Sequence, residues 1–434
     1  MRGAIRSLAA GLAVVVALAA PPAAAQPAGA NYDEAKVPAY TLPDPLRFED
    51  GTPVRDGREW SGRRRAEVLR LFEEHVYGRS PGRPPAMRFV IAENDPRALG
   101  GLATRRQVRV LLDGTESGPS FEILLYLPTA ARRPVPAFLG LNFDGNHAVH
   151  PDPGIRLSTA WMDEGPGVVA NRATEAARGT NAAAWPVERI LDRGHALATV
   201  YYGDLEPDHP DGWKSGVRAR IGPGTAGRFA SDDWGAIGAW AWGLSRALDY
   251  LVTDPDVDGR RVALIGHSRL GKTALWAGAS DERFALVVSN DSGEGGAALA
   301  RRQFGETTAR ITSTFPHWFA PRLREYAGRE ASMPVDQHML LALVAPRPLY
   351  VASATEDLWA DPRGEFLAAK AAGPVYALLG RPGLGVEEMP VPDRPVGGSI
   401  GYHVRRGTHA LTAYDWEQYL DFADRHVLDA SASR

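Results

Sequence analysis

The 434-residue chain contains no cysteine, which excludes disulfides, thiolate metal sites and cysteine nucleophiles together. It also has little charge imbalance: a formal net charge of −3 offers no broad electrostatic footprint for nucleic acid or an anionic membrane. Long apolar runs are missing too, since the N-terminal one, Leu8 to Ala20, is shorter than the ~18 residues a membrane-spanning helix needs. There is neither an internal repeat nor a strongly biased tract. What is present, 44% hydrophobic and 23% charged residues, describes a globular protein with ample material for a core. Any chemistry must come from oxygen, nitrogen or metal.

The first residues, MRGAIRSLAAGLAVVVALAAPPAAAQP, carry two arginines, an apolar stretch and small residues ending Ala23-Ala24-Ala25. That layout predicts a secretory signal peptide over residues 1–25, cleaved after Ala25, and a secreted or periplasmic protein. Residues 26–42 read as a flexible lead-in, and 43–428 as a single α/β catalytic domain. In WSGRRRAEVLRLFEEHVYG, Val68, Leu69, Leu71, Phe72 and Val76 share one helical face, with Ser61 as the expected cap and Gly78 as the stop. Arg106 to Gly114 and Phe121 to Pro128 read as an antiparallel strand pair across a glycine- and proline-bearing turn. Further short apolar runs follow at 135–144, 195–203, 261–266, 284–290 and 348–354, alternating with helical segments such as Trp234 to Val252. This pattern predicts a mostly parallel sheet covered on both faces. Residues 148–184 and 204–232 interrupt it, and loops of that length are expected over the carboxyl edge of the sheet, where such folds bind ligands.

One stretch, VALIGHSRLGKTALW (262–276), satisfies two incompatible motifs. From Gly266 it matches G-x-x-x-x-G-K-[ST], a phosphate-binding loop with Lys272 and Thr273 in the contact positions. Around Ser268 it reads as a strand, a sharp turn and a helix, the nucleophile elbow of an esterase. An exported protein meets little nucleotide, and this match follows several strands rather than opening the domain, so the elbow is the better reading. An elbow serine requires an acid and then a histidine further along the chain. Asp291 follows the strand ending at Val288-Ser289, Glu356 and Asp357 follow the strand Leu349 to Ala354, and His409 precedes a C-terminal amphipathic helix. Chemically, the histidine takes the serine proton, and the carboxylate fixes its tautomer and stabilises its charged form. His403 and His267 read as structural. Arg269, directly after the serine, offers a backbone N–H and a guanidinium to the charge that develops on an attacked carbonyl oxygen. Lys272, at i+4 from Ser268, shares its helical face and can reach a ligand hydroxyl.

The elbow departs from G-x-S-x-G, with Leu270 where glycine is expected and Gly271 one place later. In that departure GHSRLGK resembles the glucuronoyl esterases, carbohydrate esterase family 15. SNDSGEGGAALARRQFGE, PVDQHMLLALVAPRPLYVASATEDLWADPRGEF and GTHALTAYDWEQYLDF are similar to bacterial members as well, so the resemblance covers residues 40 to 427. It implies an α/β-hydrolase fold and cleavage of the ester between (4-O-methyl-)glucuronic acid of glucuronoxylan and lignin alcohols, without metal or cofactor. By the same resemblance Ser268 is the nucleophile, His409 the base, and Lys272, Glu306 and Trp359 hold the sugar. The acid stays open: many members carry a glutamate at the place of Asp291, others an acid near Asp357. Asp291 is favoured, with Asp357 or Glu356 as alternatives.

Asp204, Glu206, Asp208 and His209 suggest an ion site, but Pro207 and Pro210 break the ligand spacing, so a solvated loop is expected there. The chain is expected to act as a monomer. Two rival functions remain, an esterase for another carbohydrate or short acyl ester such as acetyl xylan, and a non-catalytic glycan-binding module.

Overall fold

The computed structural model describes residues 26–222 and 228–428; the expected signal peptide at 1–25 lies outside them. Its strands are β1 (Arg88–Ala98), β2 (Ala103–Leu111), β3 (Ser120–Pro128), β4 (Val135–Asn142), β5 (Val168–Val169), β6 (Arg172–Ala173), β7 (Ala196–Tyr201), β8 (Val257–His267), β9 (Leu286–Asn290), β10 (Leu349–Ala354), β11 (Val396–Gly397) and β12 (Ile400–Arg405). Ten of them form one sheet in the order β1-β2-β3-β7-β4-β8-β9-β10-β12-β11, while β5 and β6 pair separately in a rim loop. From β7 to β12 the pairings are parallel, and antiparallel strands close both ends. The parallel strands are buried on both faces, which is why they read as unbroken apolar runs. After β4 the chain moves to β7, and after β8 it moves the opposite way to β9, so a crevice opens at the carboxyl ends of β4 and β8. Ser268 stands there, one residue past β8.

The structure corrects several expectations. Strand β1 was not foreseen: its sequence RFVIAENDPRA is polar and proline-bearing, and it runs along the sheet edge, where such residues are tolerated. The packing helix begins before Ser61. Asp56 caps it, accepting from the backbone N–H groups of Arg58 (2.8 Å) and Glu59 (2.9 Å), and helical backbone continues to Tyr77. Val68, Leu71, Phe72 and Val76 are buried on its inner face as expected, with Leu69 partly so. Gly78 ends it at φ 82°, where a Cβ would stand 2.3 Å from the Asp233 carbonyl oxygen.

Residues 26–42, expected to be a flexible lead-in, are anchored instead. The Gln26 side-chain amide donates to the Glu356 carbonyl (2.6 Å), Gly305 N–H donates to the Asn31 carbonyl (2.8 Å), and Glu34 pairs with Arg302 (2.6 Å). Tyr32 meets Phe304 edge to face. The acidic loop after β7 is not solvated either. Glu206 is fully buried and receives the Arg218 guanidinium (2.6 Å), and the Trp240 indole donates to the Glu206 carbonyl (2.8 Å). Removing one partner of a buried ion pair strands the other charge, at a typical cost of about 3 kcal/mol. Arg218→Met is therefore expected to lower unfolding stability by about 3 kcal/mol in a denaturant titration. A loss well below that would show that other contacts hold the loop.

Candidate active site

The turn after β8 is set by close backbone approach. A Cβ on Gly266 would lie 1.9 Å from the Leu270 carbonyl oxygen, so no side chain fits there. A Cβ on Gly271 would come 3.0 Å from the Ser292 Cβ and 3.2 Å from the Asn290 carbonyl, which explains why the second glycine of this elbow sits one place late. Between them Ser268 adopts φ 57° and ψ −130°, an unfavourable backbone for a residue with a Cβ. Its N–H donates to the Asn290 carbonyl (2.9 Å), and its own carbonyl accepts from Gly271 N–H (2.8 Å) and Lys272 N–H (3.2 Å). Those bonds hold the strained serine at the head of the helix Arg269–Ser280.

His409 lies on the loop between β12 and the helix Ala413–Ala423, whose start is fixed by a capping box of Thr412 and Asp415. Its Nδ1 meets Asp357 Oδ2 at 2.6 Å. An ionised carboxylate only accepts, so Nδ1 carries the hydrogen and Nε2 keeps its lone pair. The Asp357 loop is tied to the His409 loop by Thr355 N–H donating to the Arg405 carbonyl and Glu356 N–H donating to the Gly407 carbonyl, both 2.9 Å.

Asp291 lies near but is bonded differently. One ligand atom from each of Asp291, Asp357 and His409 falls within 4.8 Å of the others. Yet the partner of Asp291 is Arg405, at 3.4 Å, and its other oxygen is buried without a hydrogen bond. Burial, then the charges of Asp357 and Glu365, push its carboxyl well above the usual range, against the opposing pull of Arg405. The sequence favoured Asp291 as the partner of His409; the structure instead places Asp357 against the imidazole, because the turn after β10 is the one laced to the histidine loop. Glu356, the other alternative, is exposed and contributes only its backbone to these contacts. Glu365 is buried below, receiving Ser292 N–H (2.8 Å), Gly293 N–H (2.9 Å) and the Ser353 hydroxyl (2.6 Å), and burial raises its pKa to about 7.

Arg269 lies against three aromatic rings, Phe143 (4.8 Å), Tyr202 (5.6 Å) and Trp318 (5.7 Å), and pairs with Asp208 at 2.7 Å. Lys272 donates from Nζ to the Ser292 carbonyl (2.5 Å), and its charge offsets part of the burial that raises the Glu306 carboxyl. One of its three donors is thus taken by the neighbouring loop, and the residue also lines the cleft. Glu306 N–H donates to the Trp359 carbonyl (3.0 Å). The structure thus brings Lys272, Glu306 and Trp359 together with Ser268, Arg269 and His409 in one cleft of about 600 Å³, whose wall also includes Gln26 and Pro27. A second lobe of about 510 Å³ shares Ser268, Arg269 and His409 but is lined by Leu141, Phe143, Trp185 and Leu411. Sequence reasoning missed the aromatic cage, the Asp208 contact and the N-terminal wall. Phe143 and Tyr202 had drawn notice only as members of the segments FDGNHA and YYGDLEPDHPDGW, expected to shape the substrate pocket, and Asp208 only as part of the acidic loop.

His403 is buried between Asp415 (2.9 Å) and the Tyr350 hydroxyl (3.0 Å). His267 Nδ1 meets the Asn290 side-chain oxygen (2.6 Å), and its ring lies 4.6 Å from that of His409.

A mostly parallel sheet with a strained serine turn at its switch point, a histidine and a carboxylate on later loops defines an α/β-hydrolase, here a carboxylic ester hydrolase. The family model for fungal glucuronyl esterases matches residues 229–380. A carbohydrate esterase, MZ0003, of an unknown prokaryotic organism is 49% identical over 405 residues, 93% of each chain. A glucuronoyl esterase from Solibacter usitatus is 50% identical, with a TM-score of 0.86 over 90% of this chain and 99% of its own. A promiscuous esterase of the same family from a marine bacterial metagenome is 48% identical, with a TM-score of 0.85 over 92% of this chain and 100% of its own. The chain belongs to carbohydrate esterase family 15, the glucuronoyl esterases.

Burial, reinforced by the charge of His409, pushes His267 down to about 3, so it stays neutral in the folded protein. Below its ordinary value of 6.5 the unfolded chain gains a proton there that the folded chain refuses. Stability should therefore fall as pH drops from about 6.5 toward 3, with a slope from this group of up to ~1.4 kcal/mol per pH unit. His267→Gln is expected to flatten the slope of denaturation midpoint against pH in that window. An unchanged slope would mean that the ring titrates in the fold.

Proposed function

We propose that the chain hydrolyses esters between the carboxyl of (4-O-methyl-)glucuronic acid on xylan and lignin alcohols, with Ser268 as nucleophile, His409 as base and Asp357 as the acid. The His409–Asp357 hydrogen bond carries this reading. His409 Nε2 takes the Ser268 proton as Oγ attacks the uronate carbonyl, and the carbonyl π electrons move onto oxygen. Arg269 stabilises that oxyanion. On collapse, the bond to the alcohol breaks and the alcohol leaves with the proton from His409; water then repeats the sequence to release the uronic acid and free Ser268. Asp357 supports each imidazolium as an anion. Asp291 is the poorer candidate, because its environment favours the protonated carboxyl, which cannot stabilise a neighbouring cation.

The two lobes suit the two halves of the ester. Lys272 and Glu306 offer charged donors and acceptors to uronate hydroxyls, and Trp359 offers a flat face to a pyranose. Leu141, Trp185 and Leu411 suit an aromatic alcohol. The leader-like residues 1–25 support export to where plant-wall polymers lie. A broader tolerance of esters is a second reading, favoured by the apolar second lobe.

Asp357→Asn is expected to lower kcat roughly 10³- to 10⁴-fold, the scale of losing a triad carboxylate, while Asp291→Asn costs far less. Equal losses, or the reverse order, would return the role to Asp291. Steady-state rates with benzyl glucuronate and p-nitrophenyl acetate address the substrate. The glucuronate should be the better substrate, and Lys272→Met should raise KM for it alone. Turnover of the acetate with none of the glucuronate would replace this reading with that of a simple acyl esterase.

A further inference from the structure

We propose that Asp208, on the rim loop after β7, is a positioning residue that fixes the Arg269 guanidinium for oxyanion stabilisation; this rests on the role given to Arg269 above. The two oxygens of Asp208 do different work. Oδ1 accepts from His317 Nε2 (2.8 Å) and from the Trp318 indole N–H (2.6 Å), while Oδ2 meets Arg269 Nε at 2.7 Å. The Asp208 side chain is only 5% exposed, so little water competes for either oxygen. Asp163 feels the charges of Arg269 and Asp208 from further off.

The support beneath this carboxylate is itself rigid. The His317 and Trp318 carbonyls accept from the N–H groups of Ala236 (2.8 Å) and Ile237 (3.0 Å), which open the buried helix Ala236–Leu251. That helix start has no side-chain cap, so the 317–318 turn takes the place of one. Gly235 permits it, since a Cβ there would stand 2.3 Å from the Trp318 carbonyl oxygen. The Trp318 ring stacks on Phe315 at 3.8 Å, and the same indole both donates to Asp208 and presents its face to Arg269.

A guanidinium needs such a frame. Arginine has many rotamers, and holding a long side chain in one of them costs up to ~2 kcal/mol of entropy. Rings alone attract its charge from any azimuth, whereas an ion pair with a carboxylate that is itself held in place anchors one edge of the guanidinium, even though Nε has no aligned hydrogen bond. With the Nε edge held 2.7 Å from Asp208 by charge, Nη2 leans on the Tyr202 hydroxyl at 3.4 Å. Phe143, Tyr202, Trp318 and Asp208 together form a preformed guanidinium cage bordering the cleft that Ser268 lines.

The experiment uses the full chain with benzyl glucuronate, and three variants checked for folding by circular dichroism. Asp208→Asn places an amide donor or an uncharged acceptor against Nε and is expected to lower kcat roughly 10- to 100-fold with KM little changed. Arg269→Ala should lose more, and the double variant no more than Arg269→Ala alone, because a positioning residue has nothing left to position. A second readout separates this from a structural role: free guanidinium at sub-denaturing concentration should restore part of the activity of Arg269→Ala and fail to do so in the double variant. Should Asp208→Asn not fold, Trp318→Phe keeps the ring and loses the indole donor, and a smaller kcat loss in the same direction is expected. Losses that multiply in the double variant, or guanidinium rescue that persists without Asp208, would overturn the proposal. So would a single Asp208→Asn variant with parental kcat while Arg269→Ala is impaired. An Arg269→Ala variant with parental kcat would instead remove the oxyanion role of Arg269 itself, and this inference with it.

Discussion

Everything in the cleft depends on how closely the helix Arg269–Ser280 is pressed onto β8 and β9. At Gly266 the backbones approach to a distance that no side chain permits, and at Gly271 a Cβ would be crowded against Ser292 and Asn290. That contact forces Ser268 into its strained turn, and it begins a relay of backbone hydrogen bonds across successive strands. Ser268 N–H bonds to Asn290 at the end of β9, Asp291 N–H bonds to Ala352 in β10, and the turn after β10 bonds to Arg405, the last residue of β12, and to Gly407 just past it. Serine, carboxylate and histidine come from three places far apart in sequence, yet each is held by the one before it. A shift at the elbow would pass along this relay to His409.

Charge is managed by the same crowding. Asp291 and Glu365 are fully buried and surrounded by other carboxylates, and both are pushed upward, mainly by burial. Protons are therefore biased toward these two, which relieves repulsion around Asp357 while it faces the imidazole. Arg405 is a further counterweight, bonding to Asp415 (3.0 Å) and to the carbonyls of Thr408 and Ala410, so it braces the histidine loop while facing Asp291. His267 and His403, close to the site in sequence or space, are bound to Asn290 and Asp415, and the His267 ring also faces that of His409.

The parts legible in the sequence were those written as local pattern or chain order. The buried parallel strands read as apolar runs, the elbow as glycines around a serine, and the histidine as the last loop before a capped helix. The choice between Asp291 and Asp357 was not legible, because both turns end neighbouring strands and only backbone bonds between loops decide which reaches His409. The Arg269 cage was hidden for a related reason: Phe143, Tyr202 and Trp318 lie on three separate loops, with no spacing to link them. Strand β1 was lost to its own polarity at a sheet edge. The acidic loop misled because proline spacing argued against a metal, while the alternative of buried ion pairs leaves no periodic trace.

The anchored residues 26–34 have a practical consequence. Gln26 and Pro27 form part of the wall beside Glu356 and Trp359, and the chain from there to Glu34 is stitched to the loop that carries Glu306. The first of the described residues therefore stand at the mouth of the cleft rather than on its far side. An affinity handle or a binding module joined just ahead of Gln26 would be delivered to the rim of this cleft, so its linker length becomes a determinant of access.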